Sequence, residues 1–310
     1  AAPTLSGTST INRETHKDLF DRTFDDIKEV KDNVPMQGGQ FFSQEKASRL
    51  DHKKGSMSST LDLPVISEDE DDIPFVQPVT GYNKSFTLSN YRSGIKITRK
   101  MVELDQWSMI SRLMGGLFNS YQRKREFQYA AVLNGAFSDT GSDGVALFSA
   151  SHPHVDSARG NWDNLETGGD LTADSYSTMR LAMRNRTGEK GFIEPRQLNE
   201  IVVVAEKERK AKEVLGSVQT AGTELNNKFA FFGESDIYVW DWLTSSTAWF
   251  GLDKNADTED KGLFEFVQAS LDIADITSTL PHDIIMGKRL RFTNVCGATM
   301  MKAWQGNAGA

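Results

Sequence analysis

The sequence predicts an α+β fold with paired strands, one long helix and a projecting acidic loop. Alternation of apolar and polar residues with period two indicates strands at Ser85–Ser89 and Ile95–Thr98. The period then changes to that of a helix, which we expect over Leu104–Leu133. After Pro195 strands and helices mix irregularly, which favours α+β over a wound parallel sheet.

The long helix is predicted from apolar side chains that recur at steps of three and four. Asp105 is a candidate N-cap, and Asn134-Gly135 ends the pattern. About 30 residues at ~1.5 Å each give a rod of roughly 45 Å. The glycine pair Gly115-Gly116 is a candidate bend. The apolar face consists of Trp107, Ile110, Met114, Leu117, Phe118 and Tyr121.

Composition bounds the class of protein. The chain has 310 residues, of which 38% are hydrophobic and 10% aromatic, enough for one large domain or two smaller ones. A net charge of −8 argues against a general nucleic-acid binder, because phosphate binding requires a basic face. Cys296 is the single cysteine, which excludes an intrachain disulfide and a cysteine-rich metal site.

No part of the sequence predicts export or a membrane span. The first residues lack the basic and apolar regions of a signal peptide. No stretch reaches the roughly 18 to 20 apolar residues that a membrane helix requires. We therefore expect no membrane partner.

The N-terminal third carries few apolar residues. An amphipathic helix is predicted at Thr15–Val30, with a narrow stripe that contains Leu19, Phe20, Phe24 and Ile27. Residues 36–63 are rich in Gly, Ser, Gln and Lys and cannot form a core alone. We expect residues 36–78 to become ordered only against neighbouring copies.

Five consecutive acids, Glu68, Asp69, Glu70, Asp71 and Asp72, form the most charged part of the sequence. Like charges repel and the flanking prolines oppose a central strand, so an exposed loop is predicted. The strands at 85–89 and 95–98 are expected to close a long hairpin whose far end carries these acids. Calcium binding is the weaker alternative, because the run lacks spaced ligands and a glycine. A contact with basic residues of a neighbouring copy is the other functional interpretation.

Further elements are predicted down the chain. Thr172 is expected to cap a second helix that ends by Gly188–Gly191. A buried strand is predicted at Ile201–Val204, followed by a charged helix at Glu206–Leu215. Later strands are expected at 237–240, 248–250 and 263–267 and, as the last one, 290–292.

Two histidines, His152 and His154, are the strongest candidates for chemistry. They could bind a metal with Asp156 or Asp163, but a zinc site needs three or four ligands and the spacing marks no further cluster. The favoured interpretation is a turn with hydrogen-bonded histidines.

Other candidate sites have ordinary structural interpretations. The triplet Arg123-Lys124-Arg125 could touch phosphate but is typical of a solvated helix face. The aromatic residues Trp240, Trp242, Trp249 and Phe250 could form a binding platform but are more typical of a core. No nucleophile elbow, phosphate loop, zinc-protease motif or dinucleotide fingerprint occurs, so we predict no enzyme activity and no cofactor.

Several motifs, in a fixed order from about Gly81 to Arg291, resemble the major capsid proteins of tailed bacteriophages related to the major head subunit of phage Mu. The motifs are Pro78–Lys84, Tyr91–Glu103, Val132–Phe137, Asp143–Phe148, His152-Pro153, Glu194–Leu198, Gly222–Asn227 and Thr247–Phe250.

The resemblance implies the Hong Kong 97-type capsid fold. In that fold an N-terminal arm and an extended loop reach across neighbouring subunits, a peripheral domain holds a spine helix, and an axial domain surrounds local symmetry axes. The arm would be residues 1–49, the extended loop 50–98, the peripheral domain 99–194 with its spine helix 104–133, the axial domain 195–282, and a C-terminal segment 283–310 would return to the peripheral domain. Phe20, Phe24 and the acids at 68–72 are the expected contacts between subunits.

The implied function is that of a major capsid protein. Copies would assemble as hexamers and pentamers into an icosahedral shell around packaged double-stranded DNA, without sequence-specific binding. Portal and scaffolding proteins are expected partners, with the scaffold a separate protein or part of a precursor, and a decoration protein is a further candidate. The location would be the virion, assembled in the host cytoplasm. The alternatives are a nanocompartment shell of the same fold with protein cargo, and a metal-dependent hydrolase that uses His152 and His154.

Overall fold

A computed structural model describes most of the chain. The described residues are 35–57, 80–98, 100–101, 104, 107–156, 158, 160–188, 191–216, 231, 233–275 and 284–309.

Helices and strands mix along the chain, as an α+β fold requires. The helices are α1 (Trp107–Asn134), α2 (Ala173–Arg184), α3 (Glu208–Leu215) and α4 (Thr258–Lys261), with 3-10 turns at Gly38–Gln40 and Ala205–Lys207. The strands are β1 (Ser43–Lys46), β2 (Asp51–Met57), β3 (Thr80–Thr87), β4 (Ser89–Thr98), β5 (His152–Pro153), β6 (Asn161–Trp162), β7 (Leu165–Glu166), β8 (Glu200–Val203), β9 (Asp236–Val239), β10 (Trp249–Leu252), β11 (Leu263–Asp275), β12 (Ile284–Ala298) and β13 (Trp304–Asn307). They form two larger sheets, ordered β1-β11-β12-β4 and β7-β13-β10-β8-β9, and the pairs β2-β3 and β5-β6.

The chain folds into two compact units. Among the described residues, the first unit contains Ser89–Arg125 and Gln268–Asn294. The second unit contains Gln37–Leu88, Glu126–Val267 and residues from Val295 onward. Helix α1 contributes residues to both.

In the first unit, α1 packs against an antiparallel strand pair. Strands β4 and β12 pair from Thr98 opposite Ile284 to Ser89 opposite Asn294. Leu117 and Tyr121 of α1 meet Phe292 of β12, and the Tyr121 and Phe292 rings lie 4.8 Å apart. These contacts confirm the helical face that the sequence predicts, because both α1 residues belong to it.

The second unit is built around the five-stranded sheet. Strand β8 buries both of its faces, because Val202 enters one hydrophobic cluster while Ile201 and Val203 enter another. Thr172 is the N-cap of α2, as predicted, and its hydroxyl accepts a hydrogen bond from the Ser175 N–H at 3.1 Å. The helix ends at Arg184, before the predicted glycines.

The predicted pairing of residues 85–89 with 95–98 is wrong. Strand β3 pairs with β2, from Asp51 opposite Thr87 to Met57 opposite Thr80, whereas β4 pairs with β12. The physical reason is the connection between β3 and β4, which is Leu88 alone. A hairpin loop needs at least about two residues, so these strands cannot fold back on each other. The hairpin therefore forms between β2 and β3, and the acidic run lies in the sequence that joins them.

The prediction that residues 36–78 become ordered only against neighbouring copies is wrong for the described part, 36–57. Phe41 and Phe42 are buried in the second unit, with 5% and 6% exposure. Strand β1 pairs in parallel with β11, from Ser43 opposite Phe264 onward. The segment needs no core of its own, because its few apolar residues join a core built by other elements. Residues 58–79 lie outside the described residues.

The last predicted strand, at 290–292, is too short and is not the last. Strand β12 extends from Ile284 to Ala298, and β13 follows at Trp304–Asn307 with all four residues buried. Polar residues such as Gln305 and Asn307 are fully buried, so alternation of polarity does not mark this strand. No helix in the described ranges is long and apolar enough to cross a membrane.

Replacing Gly115 by alanine should stabilise the protein. Helix α1 continues through this position, and an added Cβ would meet no heavy atom within 4 Å. Alanine is favoured over glycine in a helix interior by about 1 kcal/mol. Urea denaturation of Gly115→Ala should show that gain in the free energy of unfolding, and an unchanged or lower value would contradict it.

Candidate functional site

His152 is buried in a hydrogen-bond network. Its Nδ1 lies 2.6 Å from Asp143 Oδ2, and its Nε2 lies 2.9 Å from Asn164 Oδ1. The ring stacks on Trp162 at a centroid distance of 4.3 Å. Both ring nitrogens of His152 are therefore engaged by oxygen atoms of other side chains.

The network joins three loop segments of the second unit. Asn164 Nδ2 donates to the Leu147 carbonyl at 2.8 Å, and its Oδ1 accepts from the Ser149 N–H at 2.8 Å. The predicted hydrogen bonding of His152 is confirmed, but the residue lies in the short strand β5, opposite Trp162, and not in a turn. His154 is also buried, and its carbonyl accepts a bond from Tyr82 Oη at 3.3 Å. Within the described ranges no three His, Cys, Asp or Glu side chains are grouped as a metal site would require.

The predicted intersubunit residues all lie outside the described residues: Phe20, Phe24, Glu68, Asp69, Glu70, Asp71 and Asp72. What the structure describes is the point where each of the two segments that carry them joins the second unit. For the acidic run this point is the β2-β3 pair. For the N-terminal segment it is Gln37–Lys46, which we call the strap.

Two lysines fix the β2-β3 pair. Lys84 Nζ on β3 donates to the carbonyls of Thr140 at 2.6 Å and Ala298 at 2.9 Å. Burial lowers the pKa of Lys84, against the opposing charges of Asp139 and Asp143. The hairpin base is thus held by charged hydrogen bonds to main-chain oxygens.

Lys54, on β2, bridges two carboxylates. Its Nζ lies 2.6 Å from Glu45 and 2.8 Å from Glu259, and 4.6 Å from the centre of the Phe264 ring. Burial acts to lower the pKa of Lys54, but the two carboxylates outweigh it and raise the pKa overall. Lys54 thereby links the hairpin to β1 and α4.

The strap is anchored at its first residues. The Gly38 N–H lies 3.1 Å from both carboxylate oxygens of Glu126, which is fully buried. Tyr238 Oη donates to the Gln37 carbonyl at 2.7 Å. Burial, together with nearby carboxylates that include Glu126, raises the pKa of Tyr238 to about 12, so its hydroxyl stays a donor at neutral pH. Phe41 then fills a space between Tyr238, Trp240 and Trp304, with ring centroids 5.1 to 5.5 Å away.

A second buried carboxylate holds the strap further along. Glu265 Oε2 accepts bonds from Tyr129 Oη at 2.6 Å and from Gln44 Nε2 at 2.8 Å. Glu265 is only 1% exposed, so these bonds are made away from water, where losing them would be costly.

The basic triplet at 123–125 is partly engaged by aromatic side chains. Arg123 is exposed, but Lys124 Nζ lies 5.0 Å from the centre of the Tyr91 ring, and the Arg125 guanidinium lies 5.7 Å from that of Tyr121. Two of the three cations therefore pack on aromatic rings.

The predicted interpretation of the aromatic residues at 240–250 as core is confirmed. Trp240, Trp249 and Phe250 are no more than 2% exposed, and Trp242 packs against the cluster that contains Trp240 and Phe250.

Sequence reasoning missed several buried charged residues, among them Glu126, Glu265 and Arg186. Arg186 donates to the carbonyls of Lys302 and Trp304 and to Gln305 Oε1. For Glu126 the helical spacing of the sequence could have indicated burial. This residue lies four residues before Ala130 and seven before Leu133, on a face of α1 that is buried.

Known proteins share both sequence features and the fold of this chain. A family model described as phage capsid protein matches residues 82–279. No curated protein matches the chain. Solved structures of similar fold include the capsid of Myoviridae phage XM1, which is 12% identical in sequence over 89% of this chain and 91% of that chain, with a TM-score of 0.51. The bacteriophage JBD30 capsid decorated with minor capsid protein trimers is 14% identical over 76% of this chain and 100% of that chain, with a TM-score of 0.52. The JBD30 procapsid is 12% identical over 94% of this chain and 74% of that chain, with a TM-score of 0.50.

Proposed function

The chain belongs to the phage capsid protein family, and we propose that its subunits enclose packaged double-stranded DNA in a shell held together by an N-terminal arm and an extended loop. The family resemblance read from the sequence is confirmed, as is the Hong Kong 97-type fold. The protein is a major capsid protein whose copies form an icosahedral shell. The family and the fold are those of a structural protein. The arrangement of contacts within that shell is our proposal.

The anchoring of the strap and the β2-β3 pair is the observation that carries the proposal. The strap directly follows the N-terminal segment that contains Phe20 and Phe24. The β2-β3 pair flanks the segment that contains the acids at 68–72. A segment fixed at its base can place Phe20 and Phe24, or the acids at 68–72, against a neighbouring copy. Several such modest contacts per subunit become hard to reverse when the shell closes.

We assign the segments of the chain accordingly. The arm is 1–49, the extended loop 50–98, the peripheral domain 99–194, the axial domain 195–282, and residues 283–310 return to the peripheral domain. Pairing of β2 with β3 supports the extended loop, because it joins residues 51–57 with residues 80–87, on either side of the acidic run. In the loop, the five acids pair with basic residues of the next copy.

The shell has further proposed partners. Copies assemble as hexamers and pentamers, with portal and scaffolding proteins, in the host cytoplasm. The similar JBD30 capsid is decorated with minor capsid protein trimers, which supports a decoration protein here. A net charge of −8 is suited to enclosing DNA without binding it.

Expression of the protein with its genomic neighbours should give closed particles by negative-stain electron microscopy. Nuclease-protected DNA inside them would support the proposal. Particles with protein cargo and no DNA would favour the nanocompartment alternative, and monomers or dimers under all conditions would contradict shell assembly.

Neutralising the acidic run should reduce assembly. The variant is Asp69→Asn, Glu70→Gln, Asp71→Asn. Its matched control, Asp174→Asn, Glu206→Gln, Asp272→Asn, removes the same three charges from exposed positions elsewhere. We expect particle yield, measured by light scattering, to fall roughly tenfold in the first variant only, because about 1.4 kcal/mol of contact energy corresponds to tenfold. Equal yields would show that the run makes no intersubunit contact.

A further inference from the structure

Helix α1 has an exposed apolar face opposite the one that it buries. Met109 is 50% and Leu113 37% exposed, and Gly116 and Ser120 continue the same side at steps of three and four. We call these four residues the exposed helix face. A Cβ on Gly116 would meet no heavy atom within 4 Å, so the space above this residue is open. A helix that is apolar on both sides is typical of one that packs between two partners.

The part of α1 that carries the exposed helix face is positively charged. From Trp107 to Arg125 the helix carries four cations and no carboxylate. Arg112 and Arg123 are exposed beside the exposed helix face. A partner with acidic flanks around an apolar stripe would be complementary to it.

Residues 15–30 of the same chain have that composition. Their sequence predicts an amphipathic helix with the stripe that contains Phe20 and Phe24, and it holds five acids against three lysines and arginines. Such a narrow stripe cannot be buried by the helix alone. Glycine has no side chain, so an aromatic ring of a packed helix can approach its backbone closely.

The lengths agree as well. The strap is fixed to α1 where the Gly38 N–H meets Glu126, and seven residues, 31–37, separate this point from the segment. A 16-residue helix is about 24 Å long at ~1.5 Å per residue, and the distance along α1 from Met109 to Arg123 is about 21 Å on the same basis. The segment can therefore lie beside α1 over the whole exposed helix face.

We propose that in the free subunit residues 15–30 bind the exposed helix face of their own chain, with Phe20 and Phe24 packed over Gly116. A short tether gives the segment an effective concentration in the millimolar range, above that of any second copy in dilute solution. The aromatic residues that serve shell contacts are thus covered until neighbouring copies compete for them. This inference concerns the subunit before assembly and holds whatever the shell encloses.

Disulfide trapping tests the contact directly. In a Cys296→Ser background, Gly116→Cys is combined with Phe20→Cys or with Phe24→Cys. At micromolar subunit concentration and under mild oxidation, at least one pair should form an intramolecular disulfide, and at least tenfold faster than a control that pairs Phe24→Cys with Leu181→Cys. Leu181 is a suitable control because it is 60% exposed on α2. No cross-link in either pair, or only disulfide-linked dimers, would overturn the proposal.

Hydrogen exchange provides a test without cysteines. Leu113→Asp should accelerate amide exchange in residues 15–30 at least tenfold, while strand β12 exchanges as before. Leu181→Asp is the matched control and should leave residues 15–30 unchanged. Equal exchange in both variants would contradict the proposal. Both tests use free subunits, so they can fail while particles still form. Shell assembly is tested separately, by electron microscopy.

Discussion

Replacing Arg186 by methionine is expected to destabilise the free subunit by about 3 kcal/mol. The guanidinium is buried among main-chain and side-chain oxygens of the C-terminal residues, namely the carbonyls of Lys302 and Trp304 and Gln305 Oε1. It also lies 5.5 Å from the centre of the Trp162 ring. Methionine fills a similar volume but leaves these buried acceptors without a donor, and each costs about 1–3 kcal/mol. Removing a buried charge offsets part of that loss.

Arg186 remains charged at neutral pH. Burial lowers its pKa to about 10, while the nearby charge of Asp163 acts in the opposite direction. The lost interactions in Arg186→Met are therefore those of a cation, which are stronger than those of a neutral donor.

Chemical denaturation followed by circular dichroism measures the effect. Arg184→Met is the control, because Arg184 is exposed at the end of α2 and its loss should change stability by less than about 0.5 kcal/mol. Arg186→Lys should lie between the two, since an ammonium cannot reach all three acceptors. If Arg186→Met were as stable as Arg184→Met, the buried network would contribute nothing to folding.

Alanine at Gly38 should release the strap and cost about 2–3 kcal/mol, in the range of overpacked core substitutions. An added Cβ would lie 2.4 Å from Trp240 Cζ2 and 2.7 Å from Tyr129 Cβ. Both neighbours are fully buried, so neither can move aside without disturbing the core. The same displacement would break the bonds from the Gly38 N–H to Glu126.

The neighbouring glycine supplies a matched control. At Gly39 the nearest heavy atom to an added Cβ is Tyr129 Cε2 at 3.8 Å, an ordinary contact. Gly39→Ala should therefore leave stability within about 0.5 kcal/mol of the wild type. Limited proteolysis should cleave residues 36–46 faster in Gly38→Ala alone, and equal cleavage of the two variants would contradict the strap as an anchored element.

Local patterns in the sequence predict the helices well and the strand pairing poorly. The face of α1 and the Thr172 cap depend on residues within two turns of each other, so their signals are local. The pairing of β2 with β3 and of β4 with β12 joins distant residues, and nothing in the alternation of β3 identifies its partner.

The candidate site shows the same limit. Phe41 and Phe42 occur in a polar stretch, and only the surrounding elements of the second unit give them a core to join. In the sequence, a buried charge such as Arg186 looks like a solvent-exposed one. Its partners include main-chain oxygens, which no sequence pattern reveals. The acids at 68–72 and the pair Phe20 and Phe24 are predicted from composition alone.

The apolar character of β8 affects how the register of the five-stranded sheet is determined. Its buried residues Ile201, Val202 and Val203 are all aliphatic, so sliding the strand by one position would replace one apolar side chain by another at most of these positions. The sizes of the side chains must therefore help to distinguish the correct register from a shifted one. Gly251 faces Ile201 across the ladder, and an added Cβ there would lie 2.5 Å from Leu198 and 2.7 Å from Met179. A one-residue slip of β10 against these side chains would bring the bulky Phe250 or Leu252 into a gap that has no room for a Cβ atom. Steric exclusion at Gly251 thus fixes the alignment of β10 in the sheet of this capsid subunit.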